Sequence, residues 1–185
     1  MRKENNVQNI VIIVLAVTVM VMSIGYATYA QTLNINGTAT FNKAVWDVHF
    51  DTNTFSETST IKATTKDVGN TLISYTVTLP KPGDKYTFTV NAKNFGTIDA
   101  ALQKITLSGL TEAQQKFIDY KVSYAGTEYT QTTDSLAIDL AAEASAPIIV
   151  TVEYKKPQAA SDLPNENVTV SLTAAFDYVD KWAAH

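Results

Sequence analysis

Cysteine is missing from all 185 residues, and its absence excludes disulfides, iron–sulfur clusters and thiolate-bound zinc together. Histidine is nearly missing too: His49 and His185 are the only imidazoles, and His185 is the last residue of the sequence. A hydrolytic triad or a histidine-rich metal centre therefore has almost nothing to be built from, and HExxH, GxSxG and GxxxxGK[ST] motifs are all absent. Arginine occurs once, as Arg2, in a chain of net charge -4. Nucleic-acid binding needs a basic face and favours arginine for phosphate and guanine contacts, so no nucleic-acid partner is expected. Carboxylates are scattered with no DxDxDG loop to gather a hard cation, although a calcium ion held between loops stays open. No cofactor, no metal and no enzymatic activity are expected.

What is present begins with Arg2 and Lys3, followed by a nearly unbroken apolar run from Ile10 to Met22 and then by Ser23-Ile24-Gly25-Tyr26-Ala27-Thr28-Tyr29-Ala30. A basic start, an apolar centre and small residues at the end describe a Sec-type export signal. Ala27 and Ala30 are the cleavage candidates, in Gly25-Tyr26-Ala27 and Thr28-Tyr29-Ala30. The same run suits a retained anchor, because Ile10 to Ala30 is about 21 residues, enough to cross a bilayer core as a helix. In that case Arg2 and Lys3 stay on the cytoplasmic side, with Tyr26 and Tyr29 at the outer interface. Either way residues 10–30 meet the membrane at least transiently, and the rest of the chain belongs outside the cell or on its surface. The expected organisation is a signal peptide or signal anchor over 1–30 and one extracellular domain over 31–185.

Period-two alternation runs through almost all of that domain, the pattern of strands with one face in a core and the other in water. Leu33, Ile35, Ala39 and Phe41 alternate with Thr and Asn from Thr32 to Phe41, and Trp46, Val48 and Phe50 do so in the next stretch. Further strands are expected over 60–65, 72–79, 85–93, 100–107, 120–124, 135–140, 148–154 and 168–179. Turn residues separate them, as in Pro80-Lys81-Pro82-Gly83-Asp84 and Asn94-Phe95-Gly96-Thr97. Only Thr111–Asp119 reads as a helix, with Thr111 as its N-cap. Many antiparallel strands with one short helix give an all-β fold, a two-layer antiparallel β-sandwich of jelly-roll or Ig-like type, behind an N-terminal hydrophobic helix. His49 lies on the phase opposite Trp46, Val48 and Phe50, so it is expected on the solvent side of its strand. Leu163-Pro164-Asn165-Glu166-Asn167 lacks the Thr-Gly pair of a wall-sorting signal, and the two NxT triplets at Asn36 and Asn167 are of a kind frequent by chance in Asn- and Thr-rich strands.

Three stretches resemble the secreted fibre proteins of the TasA and camelysin type, found on the surfaces and in the biofilm matrices of Gram-positive bacteria. Ser23–Phe41 resembles their atypical signal peptides of SipW-dependent type and the Thr- and Asn-rich strand that follows. Leu79–Leu102 is similar to their Pro-Gly-Asp turn, aromatic strand and Asn-x-Gly-Thr segment, while Ile148–Tyr154 and Leu163–Val179 are similar to their closing strands. The resemblance implies a jelly-roll or Ig-like sandwich, cleavage by a dedicated signal peptidase, and self-association into extracellular fibres. The metalloprotease activity ascribed to some camelysin-like members does not carry over, since the zinc ligands are absent.

A mechanism fits that resemblance. Once freed by cleavage, Gln31–Phe41 is an extended uncharged strand at a chain terminus. It can pair with a sheet edge of the next subunit and fill its groove with Leu33, Ile35, Ala39 and Phe41, with Gly37 allowing close backbone approach. A head-to-tail contact of this kind does not close and propagates as a filament. The same strand pairing within its own sandwich is the simpler reading, and both stay open. The expected function is thus an exported cell-surface or matrix structural protein; the alternative is a membrane-tethered sandwich module that binds a glycan or protein ligand, with Tyr124, Tyr129 and Tyr154 as candidate contacts.

Overall fold

The computed structural model describes residues 4–29, 36–159, 163–164 and 168–182. They fall into two units, Met1–Asn42 and Lys43–His185.

The first unit is dominated by one helix, α1 (Glu4–Tyr29). Its window Asn6–Ser23 has a mean hydropathy of 2.0 and contains no charge, which is long and apolar enough to cross a membrane; a cleaved signal sequence meets the same criterion. Thr18 and Ser23 sit within this window without stranding a polar group. Their hydroxyls donate to the carbonyls of Val14 and Val19 at 2.8 and 2.7 Å, one turn back.

The second unit is all β. Its strands are β1 (Val48–Glu57), β2 (Thr65–Val68), β3 (Ile73–Thr76), β4 (Lys85–Asn94), β5 (Ala100–Ser108), β6 (Ile118–Tyr124), β7 (Thr127–Tyr129), β8 (Ile138–Leu140), β9 (Ser145–Tyr154) and β10 (Thr173–Asp180). A five-stranded antiparallel sheet has the order β1-β4-β9-β6-β7, a three-stranded one the order β10-β5-β8, and β2-β3 forms a separate ribbon. Period-two sequence patterning becomes burial directly: along β4 every second residue from Tyr86 to Asn94 is buried, and β9 repeats this from Ala146 to Val152.

These inner residues meet those of the opposite layer in one core. Tyr86, Phe88 and Val90 of β4, Ile148 and Val150 of β9 and Val122 of β6 join Leu102 and Ile105 of β5 and Leu140 of β8. Fully burying each such side chain stabilises by about 1.5–3 kcal/mol. Aromatic rings bridge the layers at both ends. Tyr124 lies 6.1 Å from Phe176 and 6.4 Å from Tyr178 of β10, and Tyr75 of β3 lies 5.3 Å from both Tyr86 and Phe88. The ribbon and the three-stranded sheet therefore both cover the five-stranded sheet, and the sandwich expected from the sequence is the observed fold.

Several elements differ from expectation. The strand expected over 60–65 is replaced by β2, Thr65–Val68, and β7 is not among the expected strands at all. Thr111–Asp119 yields only a single 3₁₀ turn, Gln114–Lys116. Thr111 does cap it, accepting a hydrogen bond from the Gln114 amide while the Gln114 side chain accepts one from the Thr111 amide. The turn stops there because Ile118 and Asp119 are taken into the ladder with Tyr154 and Glu153 of β9. Strand β1, expected to end near Phe50, continues to Glu57 through a break at which Thr52–Phe55 stand opposite Val90 alone. The Thr54 hydroxyl accepts the Asn91 amide at 2.8 Å, replacing the missing ladder bond, and Phe55 turns inward to pack at 5.3 Å from Phe88.

Candidate functional site

Gly37, Ala39 and Phe41 are exposed and belong to no strand; Phe41 is 91% exposed. Leu33 and Ile35, the other two residues expected to fill a neighbour's groove, lie outside the described residues, as does Ala30. Ala27 falls within the last turns of α1. The stretch 36–42 is thus an uncharged, alternating segment with no ladder of its own.

The chain joins the sandwich a few residues later, and the Asn94–Asp99 turn is what seizes it. The Thr97 amide donates to the Val45 carbonyl and the Thr97 hydroxyl accepts the Val45 amide, both at 2.9 Å. The Phe95 amide donates to the Asp47 carbonyl at 2.7 Å. Gly96 makes this possible, since a Cβ there would stand 2.4 Å from the Val45 carbonyl oxygen. Asn94, wholly buried, holds the turn from inside. Its side-chain amide donates to the carbonyls of Ile98 and Leu140 at 2.8 and 3.2 Å, and its oxygen accepts the Gly96 amide at 3.0 Å. Asp99 accepts the Ala142 amide at 2.9 Å. Every polar residue of the Asn-x-Gly-Thr-x-Asp segment therefore has a structural task, and together they fix Val45–Asp47 beside β4.

Sheet edges are the complementary half of any strand-addition site. Strand β10 is outermost in its sheet over eight residues, Thr173–Asp180. Strand β7 covers only Val122–Tyr124 of β6, leaving Ile118–Lys121 beyond its reach. Edge β1 is partly sealed, because the Phe50 amide donates to the Asn70 carbonyl at 2.7 Å. Asp177 on β10 and Asp119 and Lys121 on β6 are charges of the kind that discourage indiscriminate pairing at such edges.

The remaining candidates resolve into structural roles. His49 is half-buried, stacked on Phe95 with ring centroids 4.2 Å apart and 3.7 Å from the Asp47 carboxylate. Tyr124 is fully buried and is unavailable to a ligand, while Tyr129 and Tyr154 are partly buried. Among the described residues no three carboxylate or imidazole groups come together as metal ligands. Comparison with protein-family models and with the curated proteins gives no match. The class this structure defines is an antiparallel β-sandwich behind an apolar amino-terminal helix.

Proposed function

We propose that this chain is an exported, non-enzymatic structural subunit of a cell surface or biofilm matrix, which assembles into fibres by β-strand addition through residues 31–41. On this reading signal peptidase cuts near Ala27 or Ala30, and the freed segment pairs with a sheet edge of the next subunit. One observation carries it: residues 36–41, the described part of an uncharged segment of strand-like alternation, lie outside every ladder with Phe41 91% exposed, just ahead of the point where Thr97 grips Val45. An exposed phenylalanine on an unpaired strand-forming segment is unfavourable in water and favourable in a neighbour's groove. Strand β10 offers an eight-residue outermost edge for the acceptor side, while the longer edge strand β1 already engages the Asn70 carbonyl through its Phe50 amide. The kinship with TasA- and camelysin-type proteins belongs to the same proposal.

The test begins with the amino-terminal residue of protein recovered from producing cells, expected between Ala27 and Thr32. A start at Met1 favours a tethered module instead. Processed protein is expected to form filaments as concentration rises, and Phe41→Lys or removal of residues 31–41 to leave a folded monomer. Filaments from the truncated protein would overturn strand addition, and unfolding on truncation would assign the segment to its own sandwich.

A further inference from the structure

At the end of β4 away from Asn94 lies a second feature, independent of strand addition. Lys116, Lys155, Lys156 and Gln158 line an open pocket of about 370 Å³. Three segments are bound together to make it. The Lys155 amide donates to the Phe117 carbonyl at 2.8 Å and the Lys155 ammonium donates to the Gln115 carbonyl at 2.8 Å, fastening the end of β9 to the 3₁₀ turn. The Gly83 amide donates to the Tyr154 carbonyl at 2.6 Å and the Tyr154 amide to the Asp84 carbonyl at 2.9 Å, fastening it to the turn before β4. Gly83, at φ +94, leaves room for the Lys156 stem, whose Cε would lie 3.1 Å from a Cβ at that position. The Phe117 and Tyr154 rings pack edge-on at 6.3 Å and stiffen the same corner.

The charge gathered there is unusual for a chain of net charge -4. Ion pairs among the described residues engage Lys66, Lys104, Lys121 and Lys181, yet none engages Lys116, Lys155 or Lys156. Three ammonium groups around one cavity repel each other, and an anion seated between them reverses the sign of that interaction. With no arginine in the domain the site has no planar fork for a carboxylate. It has ammonium point charges, with all three donors open on Lys116 and Lys156 and one of Lys155's spent on the Gln115 carbonyl, a chemistry suited to the many oxygens of phosphate. The pocket is wide and open, more than a single phosphate fills. We propose that it is a binding site for a phosphate-rich polyanion.

The test uses the full chain in a neutral detergent, with linear inorganic polyphosphate and inorganic phosphate as probes and binding measured calorimetrically across a salt series. Three lysine contacts predict a slope of log affinity against log salt of about -2, from roughly -0.7 per contact on a flexible polyanion. The double variant Lys116→Gln/Lys156→Gln is expected to cut affinity at low salt about tenfold and to bring the slope to about -0.7. Both side chains are exposed and make no side-chain hydrogen bond or ion pair among the described residues, so folding should be retained, as circular dichroism would report. Lys43→Gln/Lys93→Gln removes the same charge near the Asn94 end and should leave the slope unchanged. Equal losses from the two double variants, or no polyphosphate binding at low salt, would overturn the proposal. Inorganic phosphate binding as tightly as polyphosphate would also defeat it, by assigning a single-ion site.

Discussion

The Tyr178 hydroxyl on β10 donates to the Tyr124 hydroxyl on β6 at 3.1 Å, a side-chain hydrogen bond from one layer of the sandwich to the other. Tyr124 is fully buried, so its oxygen has no water to turn to if Tyr178 is lost. Tyr178→Phe is therefore expected to destabilise by about 1–3 kcal/mol, the cost of a stranded buried hydroxyl, and Tyr124→Phe by a similar amount. The double variant Tyr124→Phe/Tyr178→Phe should cost less than the sum of the two. Denaturant unfolding of all four proteins measures the coupling; strict additivity would mean the bond contributes nothing.

Gly96 is expected to tolerate no side chain. A methyl at its Cβ would stand 2.4 Å from the Val45 carbonyl oxygen and 2.8 Å from the Asp47 amide, both backbone atoms that cannot swing aside. Gly96→Ala should therefore release Val45–Asp47 from the turn, at a cost of about 1–3 kcal/mol. Hydrogen exchange at the Thr97 and Phe95 amides reads the loss directly, since these donate to Val45 and Asp47.

Glu57 should govern part of the acid limb of stability. Its carboxylate accepts the Lys66 ammonium and, at 2.8 Å, the Ala63 amide, closing the end of β1 onto the segment that leads into β2. The Lys66 hydrogen bond, followed by the Ala63 one, holds its pKa below the ordinary 4.5. A carboxylate with a depressed folded pKa stabilises above its unfolded value and loses that contribution as pH falls through the folded one. Glu57→Gln is thus expected to be less stable than the parent at neutral pH, by about 1 kcal/mol. The difference should shrink as pH drops below 4.5. A gap that persists unchanged in acid would contradict this.

Tyrosines should govern the alkaline limb. Burial pushes the Tyr75 phenol up to about 12, and burial also raises Tyr86, Tyr120 and Tyr178, Tyr86 further by the nearby Glu57 charge and Tyr178 by the Tyr124 hydroxyl. Raised folded values mean stability that is intact below pH 10 and falls as pH climbs through the folded values. The loss is expected to be about 1.4 kcal/mol per pH unit for each such tyrosine, with the ionisation of these four buried phenols following unfolding rather than preceding it. Tyr75 adds a second check. Its buried hydroxyl has no hydrogen-bond partner among the described residues, so Tyr75→Phe should be neutral or stabilising by about 1 kcal/mol.

Much of this sandwich is legible in the sequence. Lys85–Lys93 alternates aromatic or apolar residues with Lys, Thr and Asn, and that stretch is β4 with one residue added. The hairpin β6-β7 was not legible, because its two-residue loop is Ala125-Gly126 rather than Asn-Gly. Both residues adopt positive φ, +49 and +90, and alanine gives no hint of that conformation. The β1 break was hidden for a related reason: Asp51 and Thr54 look like ordinary strand polar residues until Asn91 supplies the partner for the Thr54 hydroxyl. Nor does any local signal gather Lys116 with Lys155 and Lys156, which are distant in sequence and meet only through the β6-β9 ladder.

The sequence alone decided the class of the fold and the apolar helix at its start, since composition and period-two patterning act locally and need no partner to be read. Tertiary structure decided which strands are neighbours, where a helical stretch gave way to a strand, and which part of the amino-terminal alternation is gripped by the sandwich. The physical reason is that ladder bonds and steric fit are settled between segments far apart in the chain. Asn94, Gly96 and Thr97 could be recognised as a turn from their order, but only the approach of Val45 within 2.9 Å gives that turn something to hold.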